Sequence, residues 1–282
     1  MIQERKNLVT FGDQLVEAGR RLGRLCVGID PHPSLLKQWG CDDGIAGLQR
    51  FTEICVEAFS GNVALVKPQV AFYEAWGAAG YQILESAISE LRQTGTLVLS
   101  DAKRGDIGST MAGYAQAWLA EESSLSSDAV TVSPFLGYGS LSPVLEVAAS
   151  TNKGVFVLAA TSNPEARSLQ DRIGEDGLSI SQLMVDSVAL SNREHKENNH
   201  YGNVGVVIGA TLAHPPQLER LNGPILLPGV GAQGATPADV ARLTQGVQEL
   251  AFANVSRGIL KAGPSASALS TAISKFVEEF TN

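Results

Sequence analysis

The sequence predicts an α/β fold, a (β/α)8 TIM barrel with an extra N-terminal helix, on three observations. Eight short apolar or β-branched runs recur along the 282 residues. Amphipathic stretches with helix-start signals separate them, the alternation that builds a parallel sheet. Eight is also the repeat number that closes such a sheet into a barrel. Composition points the same way: 44% apolar and 18% charged residues suit a buried core, and 29 glycines among many Val, Ala and Leu suit strands covered on both faces. A doubly wound open sheet is the alternative. No GxGxxG follows the first run, which weakens a dinucleotide-binding version of it.

The runs are Leu25–Ile29, Ala64–Val66, Thr96–Leu99, Ala129–Val132, Gly154–Ala159, Val204–Ile208, Ile225–Leu227 and Glu249–Val255. Each gives way to polar or chain-breaking residues, such as Asp30-Pro31, Lys67-Pro68 and Ser133-Pro134. Between them, apolar residues at helical spacing predict helices over Gly47–Phe59, Gly80–Arg92, Thr110–Leu119, Asp176–Leu190 and Thr236–Leu243. The last opens on Thr236-Pro237, an N-cap followed by proline at the first helical position. Phe11–Leu22 reads as a further helix ahead of the first strand, and residues 164–200 exceed what one crossover needs. Ser191–Tyr201, a run of polar residues, reads as an exposed loop. No shift in composition marks a linker, so residues 1–282 are expected to form one domain.

A net charge of −8 and a pI near 5.1 argue against a nucleic-acid partner, which needs a basic stripe. They leave room for a small anionic ligand, which needs only local positive charge. Cys26, Cys41 and Cys55 lie far apart with no CxxC, so neither a disulfide scaffold nor a zinc site is expected. His32, His195, His200 and His214 show no metal-ligand spacing and are expected to be non-catalytic. No apolar stretch is long enough for a membrane span, and the opening MIQERKNLVTF lacks the apolar core of a signal peptide. A cytoplasmic location and no membrane partner are the expectations.

In a barrel of this kind, residues at the C-terminal ends of strands face the active site. Asp30, Lys67, Asp101, Lys103, Ser162 and Arg257 stand at those ends. The densest piece is Ser100–Thr110, SDAKRGDIGST. Asp101 and Lys103 are two apart, so strand geometry points them to one side. Alternating Asp and Lys charges hold each lysine protonated and each aspartate ionised. The pattern fits a catalytic cluster and fits equally a salt-bridge network at the barrel mouth. Near the end of the seventh run, Gly229, Gly231 and Gly234 allow backbone N–H groups to approach an anion. Arg257, after the eighth, adds a charged bidentate donor, and barrels often hold phosphate between those two loops.

DAKRGDIGST carries the DxKxxDIxxT signature, and the sequence resembles the orotidine 5′-phosphate decarboxylases. GIDPHP, VKPQVAFYE, TSNP, LLPGVGAQG and VSRGIL agree with that family in order and position, from about residue 11 to the end. The length and the KPQ.AFYE and TSNP pieces are similar to its longer, mycobacterial-like subgroup. The resemblance implies a carboxy-lyase of pyrimidine biosynthesis that converts orotidine 5′-phosphate to uridine 5′-phosphate and carbon dioxide without metal or organic cofactor. It implies that Lys103 protonates C6, that Asp101 lies against the substrate carboxylate, and that Lys67 holds the charge network and touches the ribose. Asp106, with Ile107 and Thr110, would reach across a homodimer interface into the neighbouring site. Asp30 would bind a ribose hydroxyl, Ser162 or the adjacent Thr161 would read the pyrimidine edge, and Pro228, Gln233 and Arg257 would close over the substrate and grip its phosphate.

Two alternatives stand beside this reading. One is a magnesium-dependent sugar-phosphate aldolase or decarboxylase of the same barrel group. That group places an acidic residue at the end of the second strand, where this chain has Lys67, and a protonated lysine has no lone pair for a metal. The other is a non-catalytic nucleotide-binding barrel, which would have no use for the full set of chemical residues.

Overall fold

A computed structural model describes residues 10–231 and 234–281. Its strands are β1 (Leu25–Ile29), β2 (Leu65–Pro68), β3 (Leu97–Arg104), β4 (Ala129–Val132), β5 (Gly154–Ala160), β6 (Val204–Ile208), β7 (Ile225–Pro228) and β8 (Ala251–Val255). All pair in parallel in sequence order, and β1 closes on β8, so the sheet is a barrel rather than an open doubly wound sheet.

The barrel interior is a packed core. Cys26, Leu65, Leu99, Ala129, Phe156, Val207, Leu226 and Phe252 meet inside it, all nearly inaccessible to solvent. The helix Phe11–Leu22 plugs its N-terminal end with Phe11, Leu15 and Ala18. Thr10 caps that helix by accepting the Asp13 N–H, and Phe11 stacks edge-on against Phe156 with centroids 6.0 Å apart. The Phe11 N–H donates to Asn203 Oδ1 at 2.7 Å, just ahead of β6. With one end sealed, the other is where a ligand enters.

The outer helices Ile45–Phe59, Gly77–Gln93, Gly108–Leu119, Ile180–Ser191 and Pro237–Leu243 lie where apolar periodicity put them. Thr236 and Asp239 form a reciprocal capping box at the start of the last. Some elements differ from expectation: β2 takes in Lys67 and Pro68, and β8 starts at Ala251. β3 continues past Leu99 to Arg104, so Asp101 and Lys103 belong to the strand instead of following it. Ser100 and Asp101 are polar yet buried, which hides the strand's last residues from a reading by hydrophobicity. The segment Ser191–Tyr201 is not simply an exposed loop but holds a short helix, Arg193–Glu197. Its anchor is the buried Asn192, whose amide donates to the Val204 and Leu221 carbonyls at 2.8 and 3.0 Å. All three cysteines are free. Among the described residues no helix is long and apolar enough to cross a membrane.

Candidate active site

At the C-terminal mouth of the barrel lies a cleft of about 270 Å³, the scale of a small molecule. β1 to β3 supply its charged wall. Lys67, on β2, is 4% exposed and Asp101, on β3, is 8% exposed. Lys67 Nζ donates to Asp101 Oδ2 at 2.9 Å, and Lys103 Nζ donates to Asp101 Oδ1 at 2.6 Å. Gln69 Nε2 reaches Oδ2 at 3.0 Å, and the Thr131 hydroxyl on β4 reaches Oδ1 at 2.9 Å. Two donors on each oxygen fill the lone pairs of one carboxylate.

The electrostatics follow from this arrangement. Burial alone would raise the Asp101 carboxyl, but the Lys67 and Lys103 ammonium groups and their hydrogen bonds outweigh it and hold the acid well below the usual carboxylate range. Burial would push the Lys67 ammonium down, and the facing Asp101 and Asp30 carboxylates reverse that, holding it above its ordinary value. Lys67 and Asp101 are therefore a fixed cation and a fixed anion at neutral pH.

The backbone is bent to achieve this. Along β3 and β4 the register passes from Ser100↔Val130 to Arg104↔Val132, so Asp101, Ala102 and Lys103 stand opposite Thr131 alone. Lys103 has φ +49°, a left-handed conformation that few residues with a Cβ adopt. The two side chains do meet, as their spacing suggests, but through a bulge and not through regular strand alternation. Arg104 fixes the end of the strand: its guanidinium pairs with Glu74 and lies 5.7 and 5.8 Å from the centres of the Tyr114 and Trp118 rings.

Asp30, directly after β1, also lines the cleft, and its buried Oδ1 has no hydrogen-bond partner among the described residues. Gly28 makes room beside it, since a Cβ there would stand 1.9 Å from Ser256 Oγ. Pro228, Gly229 and Arg257 line the part of the cleft that follows β7 and β8. Gly229, Gly231 and Gly234 all have positive φ (102°, 69° and 91°), which a glycine adopts without steric penalty. Their amides do not act alike: Gly231 N–H is bonded to the Ala235 carbonyl at 3.0 Å and Gly234 N–H to the Gly231 carbonyl at 3.1 Å. Gly231 and Gly234 therefore shape the turn, and of the three glycines only Gly229 lines the cleft. Gln233 lies outside the described residues.

Thr161, rather than Ser162, borders the cleft. Ser162 is packed against Gly209, where its backbone nitrogen would be 2.7 Å from an added Cβ. Asp106, Ile107 and Thr110 do not line it either. Ile107 and Thr110 are exposed, and the Asp106 carboxylate accepts the Ile107 N–H at 2.8 Å. Phe135 and Leu136 are also exposed, and the Ser133 N–H to Arg104 carbonyl bond at 2.8 Å ties the start of their loop to the end of β3.

Sequence reasoning missed Gln69, Thr131, Asn254 and Ser256 as lining residues. Thr131 and Asn254 lie within apolar runs as uncharged interruptions, which is the signal that could have found them. Among the described residues no cluster of three or more His, Cys, Asp or Glu is placed to hold a metal ion.

Residues 23–272 match the family model described as orotidine 5′-phosphate decarboxylase / HUMPS. The chain is 58% identical over 272 residues to an orotidine 5′-phosphate decarboxylase of Corynebacterium glutamicum, covering 96% of this chain and 98% of that one. It is 48% identical over 270 residues to that of Streptomyces coelicolor, covering 95% and 96%. Among solved structures, it resembles a putative orotidine 5′-phosphate decarboxylase from Streptomyces avermitilis with TM-score 0.93 and 48% identity, covering 97% of this chain and 95% of that chain.

Proposed function

This chain belongs to the orotidine 5′-phosphate decarboxylase / HUMPS family, and we propose that it decarboxylates orotidine 5′-phosphate to uridine 5′-phosphate in the cytoplasmic synthesis of pyrimidine nucleotides. The observation that carries this reading is the Lys67–Asp101–Lys103 chain at the barrel mouth, closed by contacts of 2.9 and 2.6 Å. The family also takes in sugar-phosphate enzymes, and two facts favour the nucleotide. The 58% identical relatives carry the decarboxylase name. Lys67 occupies the second strand's end, held protonated where the magnesium-dependent enzymes need a carboxylate.

The chemistry asks for one positioned cation. When the bond from C6 to the carboxylate breaks, carbon dioxide departs and the electron pair stays on C6. The Lys103 ammonium stabilises that charge and then donates its proton to C6, leaving a neutral amine that solvent reprotonates. Asp101 keeps the ammonium aimed, and Lys67 keeps Asp101 ionised. Asp30, with its unpartnered buried oxygen, accepts from a ribose hydroxyl. Arg257, with Pro228, Gly229 and Gln233, takes the phosphate, and Thr161 or Ser162 reads the pyrimidine edge. No metal or organic cofactor takes part.

The working unit in this reading is a homodimer. Asp106, Ile107 and Thr110 serve the neighbouring subunit's cleft, which accounts for a carboxylate and an exposed isoleucine outside their own. Phe135, 75% exposed, and Leu136, 55% exposed, give a second copy apolar surface to cover.

The test is the absorbance change of orotidine 5′-phosphate on addition of purified protein, with and without EDTA. Rapid conversion to uridine 5′-phosphate, indifferent to EDTA, is expected. Folded protein that leaves the substrate intact would contradict the reading and favour the sugar-phosphate group or the non-catalytic barrel, and conversion abolished by EDTA would contradict the metal-free mechanism.

A further inference from the structure

We propose that Thr131 is a positioning residue for the decarboxylation, holding Lys103 at both its backbone and its ammonium through a single hydroxyl. The inference rests on the decarboxylase reading above. Thr131 is 1% exposed, sits on β4 and lines the cleft. Its hydroxyl accepts the Lys103 backbone N–H at 2.9 Å and donates to Asp101 Oδ1 at 2.9 Å. The direction is fixed, because an ionised carboxylate only accepts. The same Oδ1 receives Lys103 Nζ at 2.6 Å. A closed ring results: Lys103 amide to Thr131 oxygen, Thr131 hydroxyl to Asp101, and Asp101 back to the Lys103 ammonium.

The need for such a residue comes from the bulge. Opposite Asp101, Ala102 and Lys103 the ladder has one partner residue, Thr131. The Lys103 N–H is turned away from regular strand pairing, at φ +49°, and an unbonded backbone N–H there would destabilise the conformation. The Thr131 side chain supplies the acceptor that the β4 backbone does not. The Lys103 side chain is 45% exposed and is tied at its tip by Asp101 Oδ1. A flexible four-carbon stem has many conformers, and each bond that selects one raises the share of productive geometry. An alanine or valine at this strand position would keep a small or β-branched residue in the strand, but would leave the Lys103 N–H and Asp101 Oδ1 each short of a partner.

Thr131→Val keeps the shape and deletes the hydroxyl. Thr131→Ser keeps the hydroxyl and deletes the methyl. For Thr131→Val, kcat on orotidine 5′-phosphate is expected to fall about 10- to 100-fold, with KM and the uridine 5′-phosphate Kd changed by less than about threefold. For Thr131→Ser, kcat should stay within about threefold of the unaltered protein. Thr131→Ala makes the same prediction as Val and replaces it if the Val protein does not fold. A hydroxyl-free variant with kcat within about threefold of normal overturns the inference. So does a folded Ser variant that loses as much as Val, or a loss carried by KM and product affinity. The unaltered protein is assayed beside them. If it does not turn over, the decarboxylase reading itself fails and takes the inference with it. If it does, a failed prediction in the variants counts against Thr131 alone.

Discussion

Lys103→Ala should abolish decarboxylation, with kcat falling by at least about 10⁴-fold, because one ammonium serves as both electrostatic stabiliser and proton donor. General acid catalysis alone is worth about 10²- to 10⁴-fold, and a preorganised charge beside the developing carbanion adds a further factor of about 10² to 10³. Nothing else in the cleft replaces it. Lys67 is the other ammonium on the charged wall, but its Nζ is engaged with Asp101 Oδ2 in a buried pair. Binding should survive. Arg257, Asp30 and Lys67, the groups proposed to hold phosphate and ribose, remain, and Asp101 keeps its bonds from Lys67, Gln69 and Thr131. Steady-state rates give the first half of the prediction, and titration calorimetry with uridine 5′-phosphate gives the second. A variant that retained kcat within about tenfold would remove Lys103 from the chemistry.

Arg257→Ala should lower kcat/KM by about 10²- to 10³-fold, although its proposed partner is the phosphate and not the reacting carbon. It follows β8, whereas Lys103 is on β3, with β1 and β2 between them. Any effect on the rate must therefore pass through the phosphate. Binding energy from a remote, non-reacting group can be used to close loops and assemble the site around the reacting carbon. Gly229 and Arg257 line the same cleft, and the bonds of Gly231 and Gly234 keep the turn after β7 compact. Measured kcat/KM unchanged by the substitution would mean that the phosphate sits elsewhere. A fall confined to KM would mean that it contributes binding without assisting the chemical step.

Much of this architecture is readable from the residues, for identifiable reasons. Strands buried on both faces appear as continuous apolar runs, so all eight stand out. Charges that end such runs are conspicuous, which is why Asp30, Lys67, Asp101, Lys103 and Arg257 could be named together. Uncharged polar residues are not conspicuous. Thr131 lies in Ala129–Val132 as a residue that favours strands anyway, and only the β3 bulge reveals what its hydroxyl does. The same bulge explains why β3 reads as ending at Leu99: Ser100 and Asp101 are polar but enclosed by neighbours that satisfy them. Glycine spacing reports permitted backbone conformation but not where the N–H points, so Gly231 and Gly234 read as anion ligands while their amides bond within the turn. Thr161 and Ser162 differ by one position at the end of β5, and only the folded chain places the first at the cleft and the second against Gly209. Asp106 is legible as a motif residue, yet a single chain places it outside the cleft it was read with.

The central claim, a site completed by two copies, is tested most directly by mixing Lys103→Ala protein with Asp106→Ala protein. In a mixed dimer, one cleft lacks both groups and the other holds Lys103 together with the partner subunit's Asp106. Random exchange at equal concentrations should then restore about a quarter of the unaltered activity, well above the sum of the two variants alone. Verified subunit exchange with no gain would contradict the shared site and return Asp106 to its own subunit.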